Sequence, residues 1–140
     1  MNTLKFVAII VTCALLASCS DPVKFPVSGD VPAADITATI KKQGKPNYLV
    51  TIEANNLAAP QRLKTPKKIY VIWAVSEAGV VRNVGHFTQE NAEKATYKAS
   101  FPYQPVEVFI TAENEEGNCT PQGTEISRVR LIKTDQTKKK

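Results

Sequence analysis

Residues 69–87 read IYVIWAVSEAGVVRNVGHF, and the fold follows from how that stretch divides. Ile69, Val71, Trp73 and Val75 alternate with Tyr70, Ile72 and Ala74, so both faces of the first half are apolar. A short run of β-branched and aromatic residues with two apolar faces predicts an interior strand covered on both sides. Glu77-Ala78-Gly79 turns the chain, and Val80 to Thr88 returns as the second arm of a hairpin, in which Gly85 predicts a bulge or a close approach of another backbone.

Working outward, the flanks repeat the same grammar. Ile36 to Ile40 sets Ile36, Ala38 and Ile40 against Thr37 and Thr39, the period of a half-buried strand. Gln43-Gly44-Lys45-Pro46-Asn47 turns, and Tyr48 to Ala54 answers with Tyr48, Val50, Ile52 and Ala54 on one face, completing a hairpin. Asn55 to Lys68, basic and broken by Pro60 and Pro66, predicts a loop crossing between sheets and pinned to the core by Leu57 and Leu63. Thr88 to Lys94 is polar, with room for one helical turn at most. Beyond it, Ala95 to Phe101 alternates and ends at Pro102, which cannot donate to a ladder. Val106 to Glu113 places Val106, Val108, Ile110 and Ala112 opposite Phe109, the loop 113–125 (ENEEGNCTPQGTE) is polar, and Ile126 to Lys133 closes the chain with Arg128 and Arg130 outward, which would blunt an edge.

Seven strands separated by turn chemistry predict an all-β fold, a seven-stranded antiparallel two-sheet sandwich of immunoglobulin-like size over residues 36–133, with Trp73 anchoring its core. An apolar share of 43% with 22% charged residues suits one soluble globular domain and excludes global disorder. A chain of 140 residues leaves no room for a second ordinary domain.

The chain begins with a short n-region ending in Lys5, followed by the apolar run Phe6 to Leu16. Crossing a bilayer as a helix takes ~20 residues, so this run fits the h-region of a signal peptide instead. It closes on Leu16-Ala17-Ser18-Cys19, which resembles the lipobox of bacterial lipoproteins. The resemblance implies that residues 1–18 are removed, that the Cys19 thiol takes a diacylglyceryl group, and that Cys19 becomes the mature N-terminus. The competing reading is an ordinary secretory leader with an incidental cysteine. Acyl chains stabilise membrane attachment by ~0.8 kcal/mol per buried methylene, so a multi-chain anchor tethers firmly. By analogy with enterobacterial sorting, Ser20 after the cysteine favours an outer membrane. Residues 19–35, rich in Pro, Ser and Asp, read as a linker holding the domain off the bilayer.

The net charge of +5 loses only Lys5 with the leader, and Lys138, Lys139 and Lys140 concentrate much of the remaining excess in a basic, frayed tail over 134–140. Such a tail can touch anionic lipid or a cell-wall polymer, although a solvated end is the simpler reading. Nucleic-acid binding would need a basic face with interleaved aromatics together with a cytoplasmic address, and neither is present.

Five groups of residues carry a family resemblance: Tyr70-Val71-Ile72-Trp73 with Gly79; Gly85-His86-Phe87; Val108-Phe109-Ile110-Thr111-Ala112-Glu113; Gly117; and Pro121-Gln122-Gly123. In that order they resemble the extracytoplasmic domain of the anti-sigma-K factor family: a Tyr-x-x-Trp strand, a Gly turn, a Gly-x-Phe element, an apolar strand ending in Glu, and a Gly/Pro loop. The preceding Asn56-Leu57 also fits. The resemblance spans about half of the mature chain and implies a sandwich that sits outside the membrane and receives a signal or partner. It transfers fold better than activity. Two departures limit it. The cytoplasmic sigma-binding domain and the transmembrane helix of that family's members have no counterpart here, and the family's Glu-Pro-x-Gly-Gly loop is replaced by Glu113-Asn114-Glu115-Glu116-Gly117.

Chemistry is sparse. His86 is the only histidine, so His-based zinc or copper sites lack ligands and a Ser-His-Asp triad would rest on this one ring; it reads as a packed or surface imidazole. Cys119 has no partner once Cys13 is removed and Cys19 acylated, which in an oxidising compartment means burial, the first reading, or pairing with another chain; its polar loop leaves exposure open. Asn118-Cys119-Thr120 matches a glycosylation sequon that a bacterial host seldom uses. Glu113, Glu115 and Glu116 with Asn114 and Asn118 offer oxygens to Ca²⁺, but without a Ca²⁺-loop spacing they read first as a solvated acidic loop. Tyr70 and Trp73 offer rings to a sugar, against the simpler role of Trp73 as a core anchor.

The expectation is therefore a non-catalytic, cofactor-free, lipid-anchored envelope domain facing the periplasm or the exterior. It holds membrane lipid through Cys19 and acts as an interaction or sensing module for an envelope protein or polymer. The alternative is a carbohydrate- or envelope-polymer-binding lipoprotein. A hydrolase is a third class, since carboxylate pairs ~5 to 9 Å apart are set by the fold and invisible in sequence.

Overall fold

A computed structural model describes residues 21–44, 46–91 and 93–132. The expected leader 1–18, the expected lipid-attachment residue Cys19 and the expected tail 134–140 lie outside the described residues. Alternating sequence becomes strand throughout: β1 (Val23–Lys24), β2 (Asp35–Lys42), β3 (Tyr48–Asn55), β4 (Ile69–Val75), β5 (Val81–His86), β6 (Thr88–Gln89), β7 (Lys94–Phe101), β8 (Glu107–Glu113) and β9 (Thr124–Arg130). They form two antiparallel sheets, a five-stranded one ordered β1-β2-β3-β7-β6 and a four-stranded one ordered β5-β4-β8-β9. Among the described residues the only helical element is the 3₁₀ turn Pro60–Arg62, and no helix is long and apolar enough to cross a membrane.

The fold is all-β and sandwich-like, but the strand count is nine, not seven, among the described residues. The seven expected strands all form; the extra two are the two-residue pairings β1 and β6 at the edges of the five-stranded sheet. Two residues carry no readable period. Their pairing is decided by the neighbour each meets, Val23 opposite Ala38 and Thr88 opposite Thr96.

The expected linker also needs correction from residue 21 onward. β1 pairs with β2, Phe25 and Val31 are buried in the core, and Ser127 donates its hydroxyl to the Pro26 carbonyl at 2.7 Å. Pro, Ser and Asp there set turns; they do not keep the chain off the domain. Isolated apolar residues can be buried wherever a sheet edge lies within reach, and periodicity is blind to them.

The two sheets share one buried cluster. Ile36, Val50, Ile52 and Tyr97 from the five-stranded sheet meet Tyr70, Ile72, Val108 and Ile110 from the four-stranded one. Each fully buried aliphatic chain contributes ~1.5–3 kcal/mol relative to exposure. The crossover 56–68 leaves β3 through Asn56, whose φ of 55° is a left-handed conformation that Asn tolerates. Leu63 buries, Leu57 packs on the cluster, and the Tyr70 hydroxyl donates to the Ala58 carbonyl at 2.7 Å, tying the crossover to β4. Burial, and secondarily the Asp30 charge, pushes the Tyr70 phenol up to about 12.

Gly85 sits at the expected bulge, and what approaches it is a side chain, not another backbone. The β4–β5 register slips beside it, φ is +125°, and a Cβ there would stand 3.3 Å from the Tyr97 ring of the opposite sheet. The slip leaves the Val84 carbonyl free to accept the Tyr97 hydroxyl at 2.9 Å, which joins the sheets where the chain passes from β5 to β6.

Candidate functional site

β4 and β8 are the central strands of the four-stranded sheet, and their two faces go to different places. Tyr70, Ile72 and Ala74 join the cluster between the sheets, whereas Val71, Trp73 and Phe109 form a separate buried cluster on the outer face. Trp73 is 0% exposed yet does not lie between the sheets. Side chains alternate along a strand, so Tyr70 and Trp73, three residues apart, must face opposite ways. The two rings therefore share no binding face for a sugar, and both are buried.

Register builds a row across this outer face: Asn83, Trp73, Phe109 and Arg128 stand side by side on β5, β4, β8 and β9. Trp73 and Phe109 are stacked, with ring centroids 6.1 Å apart and planes 13° apart. The Arg128 guanidinium lies 4.0 Å above the Phe109 ring, grips Glu125 through two N–H bonds of 2.8 and 2.9 Å, and pairs with Glu107. The hydrogen bond from Arg128 holds the Glu125 carboxyl below its usual range, and the Glu125 and Glu107 contacts push the guanidinium up.

At the opposite end of the row the polar loop 114–123 is fastened down. The Asn83 amide donates to the Glu116 carbonyl at 2.7 Å and to the Asn118 carbonyl at 2.9 Å. Beside it runs a buried relay: Trp73 Nε1 donates to Thr111 Oγ1 at 2.8 Å, and that hydroxyl donates to Glu113 Oε1 at 2.7 Å. The Gln122 N–H donates to the same Oε1 at 3.1 Å. Both ends of the loop are thus held, one by Asn83 and one by Glu113. Gly123 makes the second hold possible, because a Cβ there would lie 1.8 Å from the Ala112 carbonyl oxygen and 3.0 Å from Glu113 Oε2.

These constraints leave a cavity of about 290 Å³ lined by Lys67, Glu113, Asn114, Glu115, Asn118, Gln122 and Gly123. Glu113, read from sequence as part of a solvated loop, is instead the last residue of β8 and 1% exposed. Its neighbours Thr111 and Phe109 alternate with the inner-face residues, so β8 too is covered on both sides, a feature its polar Thr and Glu concealed. Glu115 and Asn118 join Glu113 in the cavity, whereas Glu116 turns away toward His86, with 3.6 Å between Nε2 and Oε2. His86 is an exposed imidazole whose Nδ1 stands 3.0 Å from the Phe87 carbonyl oxygen. Among the described residues no three His, Cys, Asp or Glu side chains are placed to hold a metal ion.

Cys119 is free and exposed, not buried. It lies in a second, more open concavity with Val80, Val81, Arg82, Asn83 and Glu116. A polar loop held by its backbone carbonyls has no interior in which to place a thiol.

Sequence reasoning named Glu113, Glu115, Asn114 and Asn118, and passed over Asn83, Thr111, Gln122 and Lys67. One signal was available: Thr111 and Glu113 share the strand face of Phe109, so their burial beside Trp73 could have been read from the alternation. The chain matches no protein-family model, no curated protein and no solved structure.

Proposed function

We propose that this chain is an interaction or sensing module of the bacterial cell envelope, tethered by acylated Cys19, with loop 114–123 and its cavity as the recognition surface. One observation carries the choice of surface. A polar loop held on one side by Asn83 and on the other by the buried Trp–Thr–Glu relay is preorganised, and binding there loses little ordering entropy. Binding residues are commonly presented this way, on loops held by a rigid sheet. In this reading the seven longer strands, three against four, form a sandwich of immunoglobulin-like size. The resemblance to the outer domain of the anti-sigma-K factors rests on the quoted residues and supports a receiving role outside the membrane.

The second reading, a carbohydrate- or envelope-polymer-binding lipoprotein, is favoured by the amides and carboxylates that line the cavity, since hydroxyl-rich ligands are oriented by such groups. The burial of Tyr70 and Trp73 weighs against ring stacking.

Two measurements test the proposal. Metabolic labelling with palmitate should mark the full chain and fail on Cys19→Ala; an unmarked wild-type chain would remove the tether. Cross-linking in intact cells from a photoreactive residue at position 115 should give a discrete adduct. Adducts that depend on Asn83 support the module, and a smear that collapses on polymer digestion supports the second reading.

A further inference from the structure

Strand register gives the sandwich two ends, and one of them is basic. Lys42, Tyr48 and Phe101 stand side by side on β2, β3 and β7, and Val81, Val75, Glu107 and Arg130 on β5, β4, β8 and β9. Only residues 102–106 join Phe101 to Glu107, so both rows sit at the same end. Lys41, Lys42, Arg82 and Arg130 are exposed in or next to these rows, and none of them makes an ion pair among the described residues. The acids nearby are Asp21 and Glu77, since Glu107 is engaged by Arg128. Val80 and Val81, 46% and 40% exposed, add an apolar step at the turn into β5. Past Arg130 the chain continues from this end into residues 133–140, where Lys133, Lys138, Lys139 and Lys140 outnumber Asp135.

The chain also enters the domain from this end. β1 runs antiparallel to β2 with Val23 opposite Ala38, so the residues before Val23 head toward Lys42. Cys19 precedes Val23 by four residues, a reach of at most ~14 Å. A tether that short leaves an acylated domain no room to stand clear of the headgroups. We infer that the basic end docks on the surface of an anionic bilayer, with Lys41, Lys42, Arg82 and Arg130 against the phosphates and Val80 and Val81 at the boundary with the acyl chains. Lysines and arginines held at an anionic leaflet each favour docking by about fivefold, an attraction that falls off within a Debye length and therefore needs the contact the tether enforces. Loop 114–123 starts after Glu113 and ends before Thr124, at the opposite end of β8 and β9, so docking leaves its cavity open to solvent. This inference rests on the acylated Cys19 of the proposed function and gives that tethered domain an orientation.

The test is amide hydrogen exchange on the full-length protein isolated from membranes and reconstituted into vesicles, of phosphatidylcholine alone or of phosphatidylcholine with phosphatidylglycerol. On the anionic vesicles exchange at residues 41–44 and 76–82 should slow, and high salt should restore the rate seen on phosphatidylcholine. Loop 114–123 should exchange equally on both. Lys41→Gln, Lys42→Gln and Arg130→Gln should each weaken the protection by about fivefold with the unfolding midpoint unchanged, and Val80→Asp should weaken it without altering the net charge of the cationic residues. Equal exchange at 41–44 and 76–82 on the two vesicles, in a chain that still takes up palmitate, overturns the docking and leaves the tether standing. Protection confined to loop 114–123 overturns it as well, because the opposite end then meets the membrane. A chain that takes up no palmitate and does not stay with the vesicles removes the tether, and the docking with it.

Discussion

Asn83 and Trp73 stand opposite one another across the β4–β5 pair, so the side chain that holds the Glu116 and Asn118 carbonyls is the neighbour of the buried indole. Replacing Asn83 with Ala removes both bonds and leaves the loop fastened only at its Glu113 end. A loss of about 1–2 kcal/mol is expected from two side chain–backbone bonds. Hydrogen exchange should accelerate at residues 116–118, and Trp73 emission should shift to the red with new access to acrylamide. Unchanged exchange there would mean that Asn83 does not hold the loop.

Gly123→Ala should be more damaging than its single methyl suggests. The added carbon would lie 1.8 Å from the Ala112 carbonyl oxygen, a backbone atom with no rotamer to escape into. The start of β9 must then move away from β8, breaking the Gln122 to Glu113 bond as it goes. Destabilisation of at least about 2 kcal/mol is expected in urea unfolding. A crystal structure or amide chemical shifts should place the change at residues 111–113 and 122–125.

Tyr70, which ties the crossover to β4, and Tyr97, which joins the sheets, set an alkaline limit. Burial pushes Tyr70 and Tyr97 from 10.0 up to about 12, with the charges of Asp30 and Tyr103 as second causes. A phenol whose pKa is higher in the folded state holds its proton more tightly there, so its full contribution is present below pH 10 and is lost as pH rises through about 12. Unfolding midpoints should fall across that window. Tyr70→Phe and Tyr97→Phe should each flatten the fall and cost about 0.5–1.5 kcal/mol at neutral pH through the lost bonds to Ala58 and Val84.

Arg128 covers the far end of the outer row. Arg128→Ala loses the fork on Glu125, the Glu107 pair and the contact over Phe109. Half-exposed ion pairs contribute little, and the cation–π contact adds ~0.5–1 kcal/mol, so a loss of about 1–2 kcal/mol is expected. Arg128→Lys should recover only part of it, because an ammonium cannot form the two-pronged grip. The Glu125 carboxyl is held below 4.5 in the folded state, so its share is present above that pH and disappears as pH falls through the lowered value. The wild-type advantage over Arg128→Ala should therefore shrink in acid, and also in high salt.

How much was legible in the sequence varies element by element. Period-two alternation located β2, β3, β7 and β8, because a half-buried strand must place like residues two apart, whereas an apolar run marked β4 and the Gly79 turn placed β5 as its return arm. Gly85 announced its bulge, because a φ of +125° is one that residues with a side chain rarely adopt. The same alternation, read along β8, stopped short: Glu113 looked like the start of a solvated loop and Thr111 like a polar position on its strand, since polarity is the ordinary mark of exposure and nothing local says that a partner will satisfy it. Phe25 and Val31 were hidden in a turn-rich segment for the complementary reason, as single apolar residues carry no period.

By itself, then, the order of residues determined the strands, the turns between them, the crossover at 55–68 and an apolar central strand with two covered faces. Those are local properties, set by side-chain alternation and backbone restriction within a few residues. Only the tertiary structure decided which face of β4 meets the other sheet, sending Trp73 outward beneath the row that Asn83, Phe109 and Arg128 complete. It alone brought Glu113 to Gln122 and Gly123 around the turn of the loop, and Lys67 from a distant crossover to the same cavity. Contacts between residues far apart in the chain depend on strand order and register, which are fixed by the packing of the whole domain and leave no periodic trace in the sequence.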